Sequence, residues 1–333
     1  MRTSAFLKGI ITALFSACFT VNANVTWHSI TPEIQFLKQQ AKLRFYDSNQ
    51  VLIEGKECAL MFDASGDFAA VEQLASTLKQ RLKTPLCYLV GSHYHDDHLL
   101  GMAVLQAQFP TAKLIVHQQV AENFAHVQRA FTDKLDSYEK SIELSYQRLA
   151  TLPKEQQHTW REKLTLAKQR LLRWRELSLK EPALIIAEQT KLDLGNYPIT
   201  IEPYHAHTYG DLTLLADNGQ ILLGGDMVDS LPYPGHGQLA PWLNALTQLA
   251  QSKTITTILP GHGEKLTPAM LAKPIAFLST IEEQVKAQPN APVEELITTF
   301  PITIKQSYQS DEIGERAFNM FLEAGLKQAK TSK

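Results

Sequence analysis

Four short apolar runs that each lead into histidine or aspartate constrain this sequence more than any other feature. The runs cover residues 86–91, 199–203, 220–223 and 254–259. They lead into His93-Tyr94-His95-Asp96-Asp97-His98, His205-Ala206-His207-Thr208-Tyr209-Gly210-Asp211, Gly224-Gly225-Asp226 and Pro260-Gly261-His262-Gly263. Short apolar runs bounded by turn residues predict buried strands, and glycine beside a polar residue permits a sharp turn. The four polar segments are therefore predicted to converge at one edge of a sheet.

Helical spacing separates these strands. Residues 67–81 and 99–109 repeat apolar positions at helical intervals, which predicts an α/β architecture with helices covering the strands. Residues 125–179 contain no glycine and only one proline, Pro153, and carry two apolar stripes at helical spacing. These features predict an antiparallel helical hairpin inserted at about residues 125–180. It could serve as a lid or a dimerisation arm, or it could be a solvated decoration.

The N-terminus has the pattern of a secretory signal peptide over residues 1–23. The basic residues Arg2 and Lys8 precede an apolar run at residues 9–19. Val21-Asn22-Ala23 then places small residues at the positions before the predicted cleavage site. An uncleaved anchor or a buried N-terminal helix are the alternatives, and lipidation of Cys18 is another. Cleavage would leave one domain at 24–333, without a transmembrane segment, in the periplasm or outside the cell.

The net charge and the cysteine content restrict which partners and which cellular compartment are expected. Loss of Arg2 and Lys8 changes the formal net charge from −2 to −4, so no nucleic-acid partner is expected. A small-molecule substrate is expected instead. Cys58 and Cys87 lie in apolar runs and are expected to be buried free thiols, although an oxidising compartment would permit their pairing.

The order H-x-H-x-D-H, H-T-x-G-D, G-G-D and P-G-H-G resembles the metallo-β-lactamase superfamily. The resemblance implies an αβ/βα sandwich, in which two facing mixed β-sheets have helices outside. It also implies two Zn²⁺ ions, with iron or manganese as alternatives. Carried over position by position, the ligands of the first metal would be His93, His95 and His207, those of the second Asp97, His98 and His262, and Asp226 would bridge the two metals.

Several residues near these motifs have competing interpretations. His205 could replace His207, but only His207 begins the Thr-x-Gly-Asp pattern. His236 lies either near the pocket mouth with Tyr233 or in an exposed loop. Asp211 and Tyr209 either fix imidazole tautomers or stabilise a turn. The segment 225–242, together with the export pattern, is similar to periplasmic members associated with quinoprotein systems.

The resemblance predicts an exported dinuclear zinc hydrolase. A hydroxide shared by the two metals would attack an ester, thioester, lactone, β-lactam or phosphodiester, with Asp97 and Asp226 as the catalytic residues. One alternative is an oxidoreductase similar to the persulfide dioxygenases, which use a single iron. Another is a metal-binding protein without activity. The oligomeric state is open, and the helical insertion could mediate a dimer.

Overall fold

The computed structural model describes residues 26–39, 47–309 and 312–331. The predicted signal peptide and Cys18 lie outside these ranges. The first sheet contains seven strands in chain order: β1 (Thr26–Ser29), β2 (Ile34–Lys38), β3 (Gln50–Glu54), β4 (Ala59–Phe62), β5 (Leu86–Val90), β6 (Lys113–His117) and β7 (Leu184–Ile186). Strands β1 to β4 pair antiparallel, and β4 to β7 pair parallel.

The second sheet contains five strands: β8 (Thr190–Asp193), β9 (Pro198–Tyr204), β10 (Asp211–Ala216), β11 (Ile221–Gly225) and β12 (Thr257–Pro260). Strands β8 to β11 pair antiparallel, whereas β12 pairs parallel with β11. Both sheets are therefore mixed. In each sheet, the parallel strands end at the same edge. Side chains that follow these strands can therefore lie close together.

Eleven α-helices are described around the sheets. They are α1 (Phe68–Arg81), α2 (Asp96–Leu99), α3 (Met102–Gln108), α4 (Gln118–Glu122), α5 (Phe124–Leu149), α6 (Lys154–Trp174), α7 (Leu239–Ala250), α8 (Ala272–Ala287), α9 (Val293–Thr299), α10 (Ile302–Tyr308) and α11 (Glu312–Thr331). Among the described residues, no helix combines the length and apolar character that crossing a bilayer requires.

Side-chain alternation along the strands divides the core into layers. In β3, Val51 and Ile53 face the second sheet, whereas Leu52 faces the helices. Ile201 and Leu214 of the second sheet belong to the layer that Val51 and Ile53 enter. Alternate residues of one strand point to opposite faces, so each sheet buries both faces. The predicted sandwich of two mixed sheets with helices outside is confirmed.

The predicted helical hairpin is present as α5 and α6, and Pro153 directly precedes α6. The hairpin packs on α1, where the Phe68 ring lies 5.4 Å from Phe131, 5.8 Å from Tyr138 and 5.6 Å from Trp174 between ring centroids. All four rings are buried. The hairpin therefore belongs to the core that covers the first sheet. Its roles as a lid or a dimerisation arm remain predictions.

The expectation of free, buried cysteines is wrong, because Cys58 and Cys87 form a disulfide with their Cα atoms 5.6 Å apart. Cys58 directly precedes β4, and Cys87 is the second residue of β5. Ala59 pairs with Leu86, and the register shifts at the next residue. Both cysteines are only half-buried. They lie at one end of two neighbouring parallel strands rather than in the core, so their side chains can meet.

Candidate metal centre

The first group of donor atoms belongs to three loops. His93 and His95 follow β5, His207 lies between β9 and β10, and Asp226 follows β11. His95 Nδ1 lies 3.1 Å from His207 Nε2, and Asp226 Oδ2 lies 3.6 Å from His207 Nε2 and 4.0 Å from His93 Nε2. One donor atom from each of the four residues lies within 4.8 Å of the others.

The second group adjoins the first. Asp97 and His98 belong to α2, and His262 follows β12. His262 Nε2 lies 3.3 Å from both His98 Nε2 and Asp97 Oδ2. Asp226 Oδ1 lies 3.0 Å from His98 Nε2 and 3.4 Å from His262 Nε2. Each oxygen of Asp226 therefore faces a different group, and all seven residues predicted from the sequence lie together at one edge of the sandwich.

Two glycines let the loops approach this closely. Gly225 has a φ of +52°, and a Cβ there would lie 2.8 Å from Ser92 Cβ. A Cβ at Gly261 would lie 2.0 Å from Asp226 Oδ1. A larger residue at either position would push apart loops that carry predicted ligands, because these distances are well below van der Waals contact.

The donor set fits a divalent metal ion. Bonds of about 2.0–2.1 Å to a tetrahedral zinc ion place neighbouring ligand atoms about 3.3 Å apart. The distances of 3.1, 3.3 and 3.6 Å among His95, His207, His98, His262 and the carboxylates cluster around this spacing. Within the described part of the chain, buried His93 Nε2 has no hydrogen-bond partner, which is costly unless the atom binds something else.

Burial favours the neutral form of the three imidazoles in the first group. It lowers the pKa of His93 well below its usual value, that of His95 to about 4 and that of His207 to about 3. Neighbouring imidazoles lower the His93 and His207 values further, and the Asp226 carboxylate partly offsets both shifts. All three imidazoles are therefore neutral at pH 7, which is the form that binds metals.

The second group has the opposite electrostatic balance. Burial alone would lower the pKa of His98 and His262, but the Asp226 and Asp97 carboxylates raise both well above the usual value. Conversely, burial alone would raise the pKa of Asp226, but His262 and His98 lower it well below its usual value. Without a metal, the imidazoles and carboxylates of this group therefore favour each other's charged forms.

Sequence reasoning missed the groups that orient the imidazoles. Asp63 Oδ2 accepts a hydrogen bond from His98 Nδ1 at 2.9 Å, and Asp63 Oδ1 accepts one from the Ser92 backbone at 2.7 Å. Ser92 Oγ lies 2.9 Å from His93 Nδ1. In both histidines, the Nε2 atom is thereby left to face the donor group. Asp63 offered a signal, because it follows the apolar strand β4 as the predicted ligands follow theirs.

Asn49 fixes the loop that carries His262. Its backbone N–H donates to the Gly261 carbonyl at 2.7 Å, and its side-chain amide donates to the carbonyls of Pro260 and Gly263 at 3.0 and 3.1 Å. Asn49 is buried. One side chain from before β3 thus satisfies loop carbonyls that are more than two hundred residues away in sequence.

The competing histidines separate clearly in the structure. His207 is in the donor cluster, as predicted, whereas His205 is exposed and its Nδ1 atom contacts the Tyr209 carbonyl. Asp211 accepts hydrogen bonds from the Ala206 and Thr208 backbones and from the Thr208 hydroxyl. Asp211 therefore stabilises the turn. Among the described residues, the hydrogen bonds of Asp211 stay within this turn, which favours the turn-stabilising interpretation over the tautomer-fixing one.

A cavity of about 390 Å³ lies against Tyr94 and Tyr209, and none of the seven predicted ligands belongs to its lining. Tyr94, which lies between two predicted ligands, forms part of its wall, and so does Tyr209, two residues after His207. The residues that line the cavity are Tyr94, Gln119, Val120, Asn123, His126, Val127, Tyr209 and Gly210. The lining contains no lysine, arginine or carboxylate, so this wall offers hydrogen bonds and apolar contacts rather than charge.

Solved structures show the same fold. The metallo-beta-lactamase from Pontibacter korlensis has a TM-score of 0.52 at 18% identity, covering 76% of this chain and 98% of that chain. The inverting sec-alkylsulfatase Pisa1 from Pseudomonas sp. has a TM-score of 0.58 at 13% identity, covering 95% of this chain and 52% of that chain. Identities this low support the fold and not a shared activity.

Sequence comparisons agree with the structure. Human acyl-coenzyme A thioesterase MBLAC2 is 25% identical over 238 residues, which is 66% of this chain and 75% of that protein. The profile of the metallo-beta-lactamase superfamily matches residues 43–262. This match spans most of the chain, including all seven predicted ligands. The chain therefore belongs to the metallo-beta-lactamase superfamily.

Proposed function

We propose that this protein is an exported hydrolase that uses two zinc ions. The observation that carries the proposal is the pair of donor groups that share Asp226, with imidazole and carboxylate atoms spaced as zinc ligands are. Superfamily membership supports a hydrolase. Two bound ions would supply Lewis acidity and lower the pKa of a water molecule to about 7.

The residues have distinct roles in this proposal. His93, His95 and His207 would hold the first ion, and His98 and His262 would hold the second together with Asp97. Asp226 would keep the two ions close, because its two oxygens face different groups. Asp97 Oδ2, which is 3.3 Å from His262 Nε2, would also accept a hydrogen bond from the attacking water and orient it.

The cavity against Tyr94 and Tyr209 would favour a neutral part of a substrate that extends into it. Its lining contains no lysine or arginine that would pair with a phosphodiester or with the carboxylate of a β-lactam. The similarity to a human acyl-coenzyme A thioesterase also favours a substrate of the ester or thioester class. We therefore favour an ester, thioester or lactone as the substrate.

Export is part of the proposal. The disulfide between Cys58 and Cys87 suits an oxidising compartment such as the periplasm, and the first 23 residues have the signal-peptide pattern. Mass spectrometry of the protein recovered from an expressing bacterium would test both points. We expect a chain that begins at Asn24 and carries one disulfide.

The function is tested by metal analysis combined with a substrate panel. The mature protein should contain two zinc ions per chain and should hydrolyse at least one neutral ester, thioester or lactone. Chelation should abolish this activity, and zinc should restore it. A single iron with oxygen uptake in the presence of a persulfide would instead support the dioxygenase alternative. Absence of turnover across the panel would contradict the hydrolase.

Metal binding should release protons. The Asp226 and Asp97 carboxylates raise the pKa values of His98 and His262 well above their usual value, which favours the protonated forms in the metal-free protein. Loading the second group must displace the protons that these imidazoles hold on Nε2. Zinc affinity should therefore weaken as the pH falls. A pH indicator in weak buffer measures the release, with zinc added to buffer alone as the blank, and a release of zero would contradict the prediction.

A further inference from the structure

His236 contacts a predicted ligand, although its P-G-H-G tetrapeptide at 234–237 follows no strand, unlike the one that carries His262. Its Nδ1 atom lies 2.8 Å from His95 Nε2. His95 meanwhile points its Nδ1 atom at the first group, 3.1 Å from His207 Nε2. The two nitrogens of one imidazole thus have separate partners, one inside the donor cluster and one outside it.

This geometry fixes the tautomer of His95. A neutral imidazole that uses Nδ1 as a metal ligand carries its proton on Nε2. His95 Nε2–H then donates to His236 Nδ1, which must be the unprotonated nitrogen of its own ring. The His236 proton is consequently on Nε2. Among the described residues, His236 Nδ1 is the hydrogen-bond partner of His95 Nε2.

Aromatic rings on both sides hold His236 in place. The Tyr233 ring lies 5.6 Å from the His236 ring at 84°, and the Tyr94 ring lies 6.2 Å from it at 35°. Gly235 permits this arrangement, because a Cβ there would lie 2.3 Å from the Tyr233 hydroxyl oxygen. His236 itself is exposed, so its position depends on these neighbours rather than on burial.

Helix α11 supports the segment 233–237 from behind. The Phe321 ring lies 5.1 Å from the Tyr233 ring, and Gln328 donates to the Gly237 carbonyl at 3.2 Å. Gly325 lets the helix approach, since a Cβ at this position would lie 2.4 Å from Pro234 Cγ. A continuous set of contacts therefore runs from the C-terminal helix through this segment to His95.

We propose that His236 is a positioning residue that fixes His95 as an Nδ1 ligand, and that α11 sets the position of His236. The inference rests on the proposed function, because it assigns a support to the first metal position. It gives the C-terminal helix a role in metal affinity, although that helix supplies no ligand.

The test is zinc affinity, measured on the metal-free full chain against a chromophoric chelator. His236→Ala should weaken binding at the first group by about 10- to 100-fold, the usual effect of losing such a partner. His236→Asn should restore much of the affinity, because its Oδ1 atom can accept the same hydrogen bond. His205→Ala is the matched control, since His205 is exposed in the loop that carries His207 and its Nδ1 atom contacts the Tyr209 carbonyl rather than a predicted ligand. It should bind zinc like the wild type.

Two further measurements distinguish a failure of the proposed function from a failure of the proposed role of His236 or α11. In an Asp97→Ala background only the first group is complete, so His236→Ala should weaken the single remaining ion there. Gly325→Ala should weaken the same ion while leaving helix content unchanged, because alanine favours a helix. Wild-type protein that binds no zinc would overturn the proposed function. Two normally bound ions in His236→Ala would overturn the inference alone, and normal affinity in Gly325→Ala would overturn the role of α11.

Discussion

Replacing Asp97 with alanine should reduce hydrolysis by at least about 10³-fold, whereas the same change at the adjacent Asp96 should alter it by no more than about twofold. Asp97 Oδ2 lies 3.3 Å from His262 Nε2 and 3.7 Å from His98 Nε2. The Asp96 side chain is 52% exposed and pairs with Lys134 at 2.7 Å, away from the donor groups. The two neighbours carry the same carboxylate, but that of Asp97 faces the donor groups and that of Asp96 faces Lys134 and solvent.

The large effect has two physical sources. Loss of the Asp97 carboxylate removes a predicted ligand of the second ion and also the group that would orient the attacking water. It leaves His98 and His262 with one carboxylate fewer near them, so the second group becomes more positive and less able to accept a cation. Because metal activation of water accounts for several orders of magnitude in rate, losing one ion should remove most of the activity.

The measurement combines kcat/KM on the substrate that the panel identifies with zinc content per chain. Asp97→Ala should retain one ion and a cooperative thermal transition, and Asp96→Ala should retain two. Wild-type turnover in Asp97→Ala would exclude the dinuclear mechanism. A comparable loss in Asp96→Ala would show that the whole helix α2, rather than the Asp97 carboxylate, is responsible.

The convergence of the seven predicted ligands was predictable, because it depends on chain order and strand ends. Each predicted ligand follows an apolar run, and parallel strands deliver their carboxyl ends to a common edge. The supports were not predictable in the same way. His236 reaches His95 only through the packing of 233–237 on α11, and Asn49 reaches the His262 loop across more than two hundred residues. Such contacts are tertiary, and no local spacing encodes them.

The fold shows a similar division. The hairpin of α5 and α6 was predictable, since a long stripe such as Phe131, Leu135 and Tyr138 repeats at helical spacing. Strands β1 and β8 gave no comparable signal, because each has only four residues and none of them is buried. The disulfide was misjudged for another reason. Apolar neighbours around Cys58 and Cys87 suggested burial, but the cysteines lie at the ends of β4 and β5.

Removing the disulfide should lower the free energy of unfolding by about 3–4 kcal/mol. The bond closes a loop of 29 residues, and the chain-entropy relation gives about this value for such a loop. Replacing both cysteines with serine avoids an unpaired thiol, and urea unfolding measures the difference from the oxidised wild type. Reductant should shift the wild type to the stability of the variant and leave the variant unchanged.

This loss of stability should be independent of the metal centre. The disulfide joins the start of β5 to the residue before the parallel strand β4, whereas Asp63 and His93 follow the opposite ends of the same strands. Strand β5 alone separates the two ends by roughly 13 Å. The folded double variant should therefore bind two zinc ions with wild-type affinity. If the double variant were as stable as the oxidised wild type, the predicted stabilisation by the disulfide would be wrong. If it lost zinc, the two ends of these strands would be coupled.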